Sequence, residues 1–524
     1  MKIQSLPPSG REMGRTGRGG PDWFVVVMLS GIAAYLYLRL FRLPHTPFLM
    51  GGDQTYAWMY AQRMLYGERP YRDFFQFNPP GTGLVFFTVF MLFGLRIWVT
   101  NAVILMLGIA LCGVCFRVAM RIMNRGPALL ATLLFLTLIY GRTLNATHHW
   151  FSMLLVMCAA AMAMREITAL RILATGALLG ASSFFTQTHG AAALLAFMTW
   201  LLWERSRTQM PWRKFGEYQG LLVGGFVVTL LVLSGFFIAT VGFKQLWYFQ
   251  VTYPREFVVP GHDTGFLGMP EAPTWRRLPS LAGYFFVYTL LPLIYPLALV
   301  RCGRTQWDRS FQPREVGLLS LVGLFLLVEV CFSVNWLRVY AVSMPGIVLL
   351  LYAIGRTGKM RRYALALVWV GIVGLGLHQA WARYHLRAVI DQLPGGMADA
   401  TPQTYEKLQW VMQHTRPGEF FLESNGPTLY LPLQLRNPVF LDGIGANDAS
   451  RPEYVELAVR QLETKRVRYI LWTTRLDSPE EPARPWTDHL APLRAYLRDR
   501  YVRVQIFSDQ QEIWERKQSA GGND

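Results

Sequence analysis

Charge is scarce in this chain. Only 16% of its 524 residues are Asp, Glu, Lys or Arg, where a soluble domain has about one quarter. Acids are the scarcer sign, 33 against 51 Lys and Arg, leaving a net +18. Cysteine is sparse too, at five residues, and none falls in a segment read below as facing outward, so those parts must hold without disulfides. Cys112 and Cys115 form a C-x-x-C, but inside an apolar run, where small residues pack helices together. A redox or zinc role is the weaker reading there. The last 140 residues contain neither a Walker loop nor G-x-G-x-x-G, which removes a nucleotide site from them. The basic excess is not interleaved with any nucleic-acid motif, which argues against nucleic-acid binding.

What the chain has in quantity is apolar sequence: 52% of its residues are hydrophobic and mean hydropathy is +0.24. Uncharged runs recur over the first 380 residues, each able to supply the roughly 20 residues that cross a bilayer core. Backbone in lipid must satisfy its own hydrogen bonds, so the runs read as helices. The fold class is a polytopic α-helical membrane protein with about 11 transmembrane helices and a small C-terminal α/β domain. The expected spans are roughly 23–42, 97–118, 126–141, 148–164, 171–186, 189–204, 217–241, 279–300, 315–334, 338–355 and 362–381. The first is retained rather than cleaved, because LRLFRLPHTP offers no small-residue cleavage site. Segment 80–95 is apolar but short, and reads as interfacial or dipping in.

With that count, the loops MRIMNR, REITALR, ERSRTQMPWRK, RCGRTQWDRSFQPR and GRTGKMRR all fall on one side. The positive-inside rule makes that side the cytoplasm. The expected organisation is a cytoplasmic tail (1–22), a transmembrane domain (23–381) with outward loops at 43–96 and 242–278, and an extracytoplasmic domain (382–524). The chain would be a multi-pass protein of the cytoplasmic (inner) membrane, and its last domain would be periplasmic. In that domain TPQTYEKLQWVMQHT has helical spacing with Thr401 as N-cap. GEFFLES, PVFLDG, VRYILWTT and YVRVQIF read as strands, with EYVELAVRQLETKRV and PWTDHLAPLRAYLRDR as helices between them.

The chemistry concentrates in residues 51–83, GGDQTYAWMYAQRMLYGERPYRDFFQFNPPGTG. Asp53 precedes a helical run, and the helix dipole favours its ionised form. Such a carboxylate can accept a proton from an attacking hydroxyl, or orient it; a plain N-cap is the alternative. Asp73 lies beside Arg69 and Arg72, where a local ion pair that orders the loop is the simpler reading. Asn78-Pro79-Pro80-Gly81 enforces extended chain and a turn. Tyr66, Tyr71, Phe74, Phe75 and Phe77 suit a headgroup belt, a sugar ring or a lipid tail.

Further polar residues gather at outward helix ends: His148 and His149, Gln187 and His189, Glu329 and Arg338. Ionisable groups at the edge of spans are costly and often functional. Arg338 can clamp a phosphate or pair with Glu329. Adjacent histidines point apart on a helix, so His148 and His149 suit phosphate or hydroxyl hydrogen bonding better than a metal. Loop 242–278, with Arg255, Glu256, His262, Asp263 and Trp275, lacks obvious regular structure and is long enough to be a lid.

This pattern resembles the GT-C glycosyltransferases, in particular protein O-mannosyltransferases, lipid A aminoarabinose transferases and lipopolysaccharide-core galacturonosyltransferases. The matching elements are Asp53, Tyr66-Gly67-Glu68-Arg69-Pro70-Tyr71-Arg72-Asp73-Phe74, Asn78-Pro79-Pro80-Gly81, Phe93-Gly94, and Arg338-Val339-Tyr340 followed by Pro345. Two positions depart: Gln54 stands where many relatives have Glu, and Asn78 where aminoarabinose transferases have Lys. The resemblance implies a donor sugar on a polyprenyl phosphate (undecaprenyl phosphate in a bacterium), used on the outer face of the membrane. It implies Asp53 as base or orienting carboxylate, with Asp73 as second candidate, and transfer with inversion to a lipid, glycan or protein acceptor. Arg338, His148, His149, His189, Asn78 and Tyr71 are the candidates for holding donor phosphate or substrate. Nothing in the sequence requires a cofactor or metal, and a divalent cation is left open. The competing readings are a transporter or lipid-handling protein without chemistry, against which no repeat relates the two halves, and a scaffold that has lost its activity.

Overall fold

The computed structural model describes residues 22–258, 285–304, 313–331, 336–356, 361–384, 387–445, 451–477 and 489–518. Helix α1 (Trp23–Leu40) leads into a hairpin of β1 (Phe41–Arg42) and β2 (Thr46–Pro47). Then come α2 (Gln54–Leu65) and α3 (Gly81–Phe93). The bundle continues with α4 (Ile97–Ala119), α5 (Arg125–Leu134), α6 (His148–Ala163), α7 (Ala169–Ser183), α8 (Gln187–Thr208) and α9 (Trp212–Val241). A short α10 (Phe243–Trp247) precedes α11 (Leu291–Arg304), α12 (Pro313–Val330), α13 (Trp336–Ala341), α14 (Met344–Ile354) and α15 (Arg361–Tyr384).

Among the described residues, helix occupies every segment expected to span. Four helices, α1, α4, α9 and α15, are long and apolar enough to cross a membrane by length and composition. Helices α9 and α15 expose Val228, Val232, Phe236, Leu367, Val370 and Leu377, a continuous apolar exterior suited to lipid rather than water. Helix α3 has 13 residues, about 20 Å, which is short of the roughly 30 Å hydrocarbon core.

Three helical expectations change. The segment 338–355 is two helices, α13 and α14, because Pro345 cannot donate its backbone N–H and sits at the start of the second. Between them Ser343 Oγ donates to the Tyr340 carbonyl at 2.7 Å. The segment 126–141 does not stay α-helical; it ends in a wider π-helical turn, Phe135–Tyr140. Loop 242–278 is not irregular where it is described: α10 runs into π-helical turns at Tyr248–Thr252 and Pro254–Val258, the latter holding Arg255 and Glu256. His262, Asp263 and Trp275 lie outside the described residues.

The described residues between 387 and 518 form α/β structure. Strands β3 (Ala388–Ile390) and β4 (Ala398–Ala400) pair antiparallel. Thr401 caps helix Pro402–His414, accepting from the Thr404 N–H at 3.4 Å. A four-stranded mixed sheet has β5 (Phe421–Glu423) parallel to β6 (Tyr469–Thr473). Antiparallel to β6 is β8 (Gln511–Arg516), which also pairs with β7 (Tyr501–Ile506). Helices Pro452–Thr464 and Ala491–Arg500 accompany it. Two strand expectations differ. PVFLDG is a loop, with no strand assigned over 438–443; its apolar residues are buried by loop packing rather than by a ladder. The strand Gln511–Arg516 was hidden by its polar residues, of which Gln511 and Glu512 are buried beside Ile513.

Helix α2 joins the two parts. Trp58 and Ala61 enter the core of the bundle, with the Trp58 ring edge-on to Phe86 at 6.2 Å. Met59, Tyr60 and Phe74 belong instead to a core shared with Ile390, Leu408 and Phe421. Buried Arg63 donates to the Val439 carbonyl at 2.8 Å, Gln62 to Leu435 at 3.0 Å, and the Phe75 N–H to Phe440 at 2.8 Å. The last turn of α2 is thereby fixed where the bundle meets the C-terminal α/β residues.

Candidate active site

Gly52, in the left-handed region at φ +79°, makes the turn that starts α2; a Cβ would strain it. The Thr55 N–H and Oγ both donate to the Gly52 carbonyl at 2.9 Å. Asp53 immediately precedes that first turn. Its side chain is exposed and makes no capping bond to α2. The carboxylate lines a small pocket of about 320 Å³ with Tyr56, Tyr60, Gln76, Asn78, Thr82 and His148. Gln54, the first departure from the relatives' pattern, is fully buried. It donates to the Gly51 carbonyl at 3.1 Å and accepts from the Ala146 N–H at 2.9 Å. The amide pins α2 to the loop before α6, a task a carboxylate could not do with both groups.

A larger cavity, about 1430 Å³, adjoins it. His148 and Asn78 line both. Its wall holds His149, Thr186, Gln187, Glu329 and Arg338, and His189 stands behind. The His148 and His149 ring centroids are 4.0 Å apart, and those of His149 and His189 5.2 Å. The expectation that the adjacent histidines point apart is therefore corrected. They occupy the first two positions of α6, where no preceding turn restrains the rings from leaning together. His189 Nε2 lies 3.4 Å from Glu329 Oε2. Glu329 and Asp53 are the carboxylates whose charge acts on Arg338. Nδ1 of His149, Nδ1 of His189 and Oγ1 of Thr186 are buried without a hydrogen-bond partner. Buried polar atoms are costly unless satisfied, so this wall suits a ligand rich in acceptors. Among the described residues no group of three or more His, Cys, Asp or Glu side chains could hold a metal ion.

The other expected residues lie differently. Asp73 lines neither cavity. It accepts from the Arg69 N–H at 2.8 Å and pairs with Arg72 at 2.9 Å through both oxygens. Those bonds hold its carboxyl below the usual range, Arg72 first. Buried Tyr71 also lines neither. Held at φ +66°, it donates its hydroxyl to the Asn78 carbonyl at 2.8 Å and accepts from Gln250 at 3.0 Å. The same Asn78 carbonyl accepts from Gln76 at 3.0 Å. Tyr71 therefore shapes the turn that aims Asn78 at both cavities. Gly81 then lets the chain pass Phe184, since a Cβ there would sit 2.7 Å from the Phe184 carbonyl oxygen.

Sequence reasoning overlooked Tyr56, Tyr60 and Asp442. The tyrosines follow Asp53 by three and seven residues, which places them on its face of α2; that periodicity was available. Asp442 was concealed in the run read as a strand. The Tyr60 hydroxyl donates to Asp442, whose carboxyl burial pushes up to about 6. Tyr56 fits beneath Gly426 and Gly443, where added Cβ atoms would approach its hydroxyl to 3.4 and 3.3 Å. Burial pushes the Tyr56 and Tyr60 phenols up, with Asp442 adding to it. Both stay protonated donors at neutral pH. Nearby Glu423 accepts from the Leu429 N–H at 2.9 Å and is pushed up to about 7 by burial.

No protein-family profile matches the sequence, and no curated protein matches it. Solved structures do match. ArnT from Cupriavidus metallidurans, bound to undecaprenyl phosphate, superposes with a TM-score of 0.60 at 13% identity, over 96% of this chain and 100% of that one. Its apo state gives 0.60 at 14% identity, over 96% and 99%. The archaeal oligosaccharyltransferase AglB from Archaeoglobus fulgidus, in complex with an inhibitory peptide and a dolichol-phosphate, gives 0.53 at 11% identity, over 96% and 75%. At these identities the likeness is one of fold, and it spans both the helical bundle and the C-terminal sheet: this chain has the GT-C fold.

Proposed function

We propose that this protein is an integral-membrane glycosyltransferase that moves a sugar from a polyprenyl phosphate to a hydroxyl or amine acceptor, with inversion. One observation carries the reading. The pocket holding Asp53 and the cavity holding Arg338, the histidines and Thr186 meet at His148 and Asn78. The fold neighbours support the donor class, since ArnT was solved with undecaprenyl phosphate and AglB with a dolichol-phosphate.

The donor phosphate would lie in the larger cavity, its charge met by Arg338 and its oxygens by the histidine and Thr186 donors. The sugar would lie at the junction, with its anomeric carbon facing the Asp53 pocket. Asp53 accepts the acceptor's proton or orients its lone pair. The new C–O or C–N bond forms as the bond to the phosphate oxygen breaks, and the phosphate leaves with the electron pair. Attack from the face opposite the leaving group inverts the centre, and one carboxylate suffices for a single displacement. Asn78 cannot supply the charge of a Lys, which leaves Arg338 as the cation. The reaction belongs on the outer membrane face, with the C-terminal sheet outside and the N-terminus in the cytoplasm.

The test is sugar transfer or donor hydrolysis in proteoliposomes with a panel of labelled polyprenyl-phosphate sugars, for wild type and Asp53→Asn. Turnover that collapses in the folded variant is the expected result. Equal turnover in both would remove Asp53 from the chemistry. No turnover with any donor, once a range of acceptors has been supplied, would move the protein to the lipid-handling reading.

A further inference from the structure

A third cavity, of a different kind, lies along the bundle, 10–14 residues beyond His148 on α6, about 15–20 Å away. The Trp23 end of α1, the last turns of α4 and α6 and the start of α7 enclose an open crevice with about 1830 Å³ of empty space. Its walls are apolar, with Met28, Val114, Phe116 and Met162 among them. Four arginines rim it: Arg117, Arg121, Arg165 and Arg171. The acid in its lining, Asp22, is paired with Arg125 at 2.8 Å. Arg171 donates to the Glu166 carbonyl at 3.0 Å, and the Glu166 carboxylate points into solvent, 90% exposed and 3.9 Å away.

Positive-inside topology needs arginines in these loops but does not need them to converge. Here residues from three chain segments converge on one crevice whose floor is hydrocarbon. That combination matches an amphiphile with an anionic head. Basic pockets between helices beside a bilayer surface take anionic lipid headgroups in this way. The N-terminal tail is a poor occupant, because residues 2–21 carry Lys2, Arg11, Arg15 and Arg18 against the one acid Glu12. Its charge has the same sign as the rim.

We propose that this crevice is a binding site for an anionic diacylphospholipid, with its phosphate on the Arg117–Arg121–Arg165–Arg171 rim and its acyl chains against Met28 and Phe116. The site is independent of the proposed transfer reaction.

The experiment is native mass spectrometry of the full-length, delipidated protein with phosphatidylglycerol and phosphatidylcholine of identical chains. Wild type is expected to retain phosphatidylglycerol at least about tenfold more than phosphatidylcholine. Arg117→Gln/Arg165→Gln/Arg171→Gln should abolish the preference. Met28→Trp, which fills the crevice without changing charge, should lower retention of phosphatidylglycerol. A control that removes three charges elsewhere, Arg213→Gln/Lys214→Gln/Arg361→Gln, should keep it. Equal retention of both lipids, or an equal loss in the control, would overturn the site. So would a rise in lipid retention on deleting residues 2–21, which would assign the crevice to the tail.

Discussion

Two carboxylates twenty residues apart, in the stretch between α1 and α3, have opposite surroundings. Asp53 follows a glycine turn, makes no cap, and opens onto a pocket that adjoins the cavity of Arg338. Asp73 is held by Arg72 and by the Arg69 N–H, and lines neither cavity. The sequence favours a local ion pair for Asp73 and leaves Asp53 divided between a chemical role and a plain N-cap. The difference is that the partners of the Asp73 carboxylate are within four residues of it, whereas Asp53's surroundings come from α6, the Asn78 turn and, through Tyr60, the loop of Asp442. The Asp73 carboxylate orders its own loop, whereas the Asp53 carboxylate lines a pocket built by elements distant in sequence.

The sharpest way to break this contrast is to remove each acid. Asp53→Asn is expected to lower turnover by about 10²–10⁴-fold with an unchanged fold, as loss of a general base does. Single-turnover assays in proteoliposomes would read it. Arg338→Gln should cost about 10²–10³-fold, the scale of losing one preorganised charge-stabilising donor. Arg338→Lys should recover only part, because an ammonium lacks the planar fork.

A smaller effect comes from the acids that pack above α2. Asp442 and Glu423 have folded values pushed up to about 6 and about 7. The folded state therefore binds these protons more tightly than the unfolded chain does. Their contribution to stability is full below their ordinary carboxylate values and is lost as pH rises toward 6 and 7. Thermal unfolding in detergent should show stability falling from about pH 4 to 7 on their account. Asp442→Asn and Glu423→Gln should each flatten part of that fall. If Tyr60 and Asp442 also position α2 beneath Asp53, Tyr60→Phe should shift the pH profile of turnover rather than abolish it. The smallest effect is expected at Asp73→Asn: activity within about threefold of wild type and a slight drop in melting temperature, as for an exposed ion pair. A large loss there would erase the distinction between the two acids.

Much of this was legible in the chain. Long apolar runs locate helices because lipid leaves backbone no other way to satisfy its hydrogen bonds. Gly52 before Asp53, and the Pro-Pro-Gly after Asn78, mark turns through steric limits that act within a few residues. His148, His149, His189, Glu329 and Arg338 stood out as ionisable groups at the ends of apolar segments. What the sequence could not supply was the meeting of these groups. The hydroxyl of Tyr71, a candidate for holding substrate, donates to the Asn78 carbonyl and accepts from Gln250, 179 residues away, and no local pattern announces the second bond. PVFLDG looked like a strand, yet it is the loop that presents Asp442 to Tyr60 from 382 residues away. The crevice rimmed by arginines is likewise invisible in the loops taken one at a time. Helix formation, turns and local ion pairs depend on neighbours in sequence, so the sequence by itself determined them. Which carboxylate lines a pocket beside the cavity of Arg338, and which arginines share a crevice, depends on packing between distant helices, and only the tertiary structure decided that.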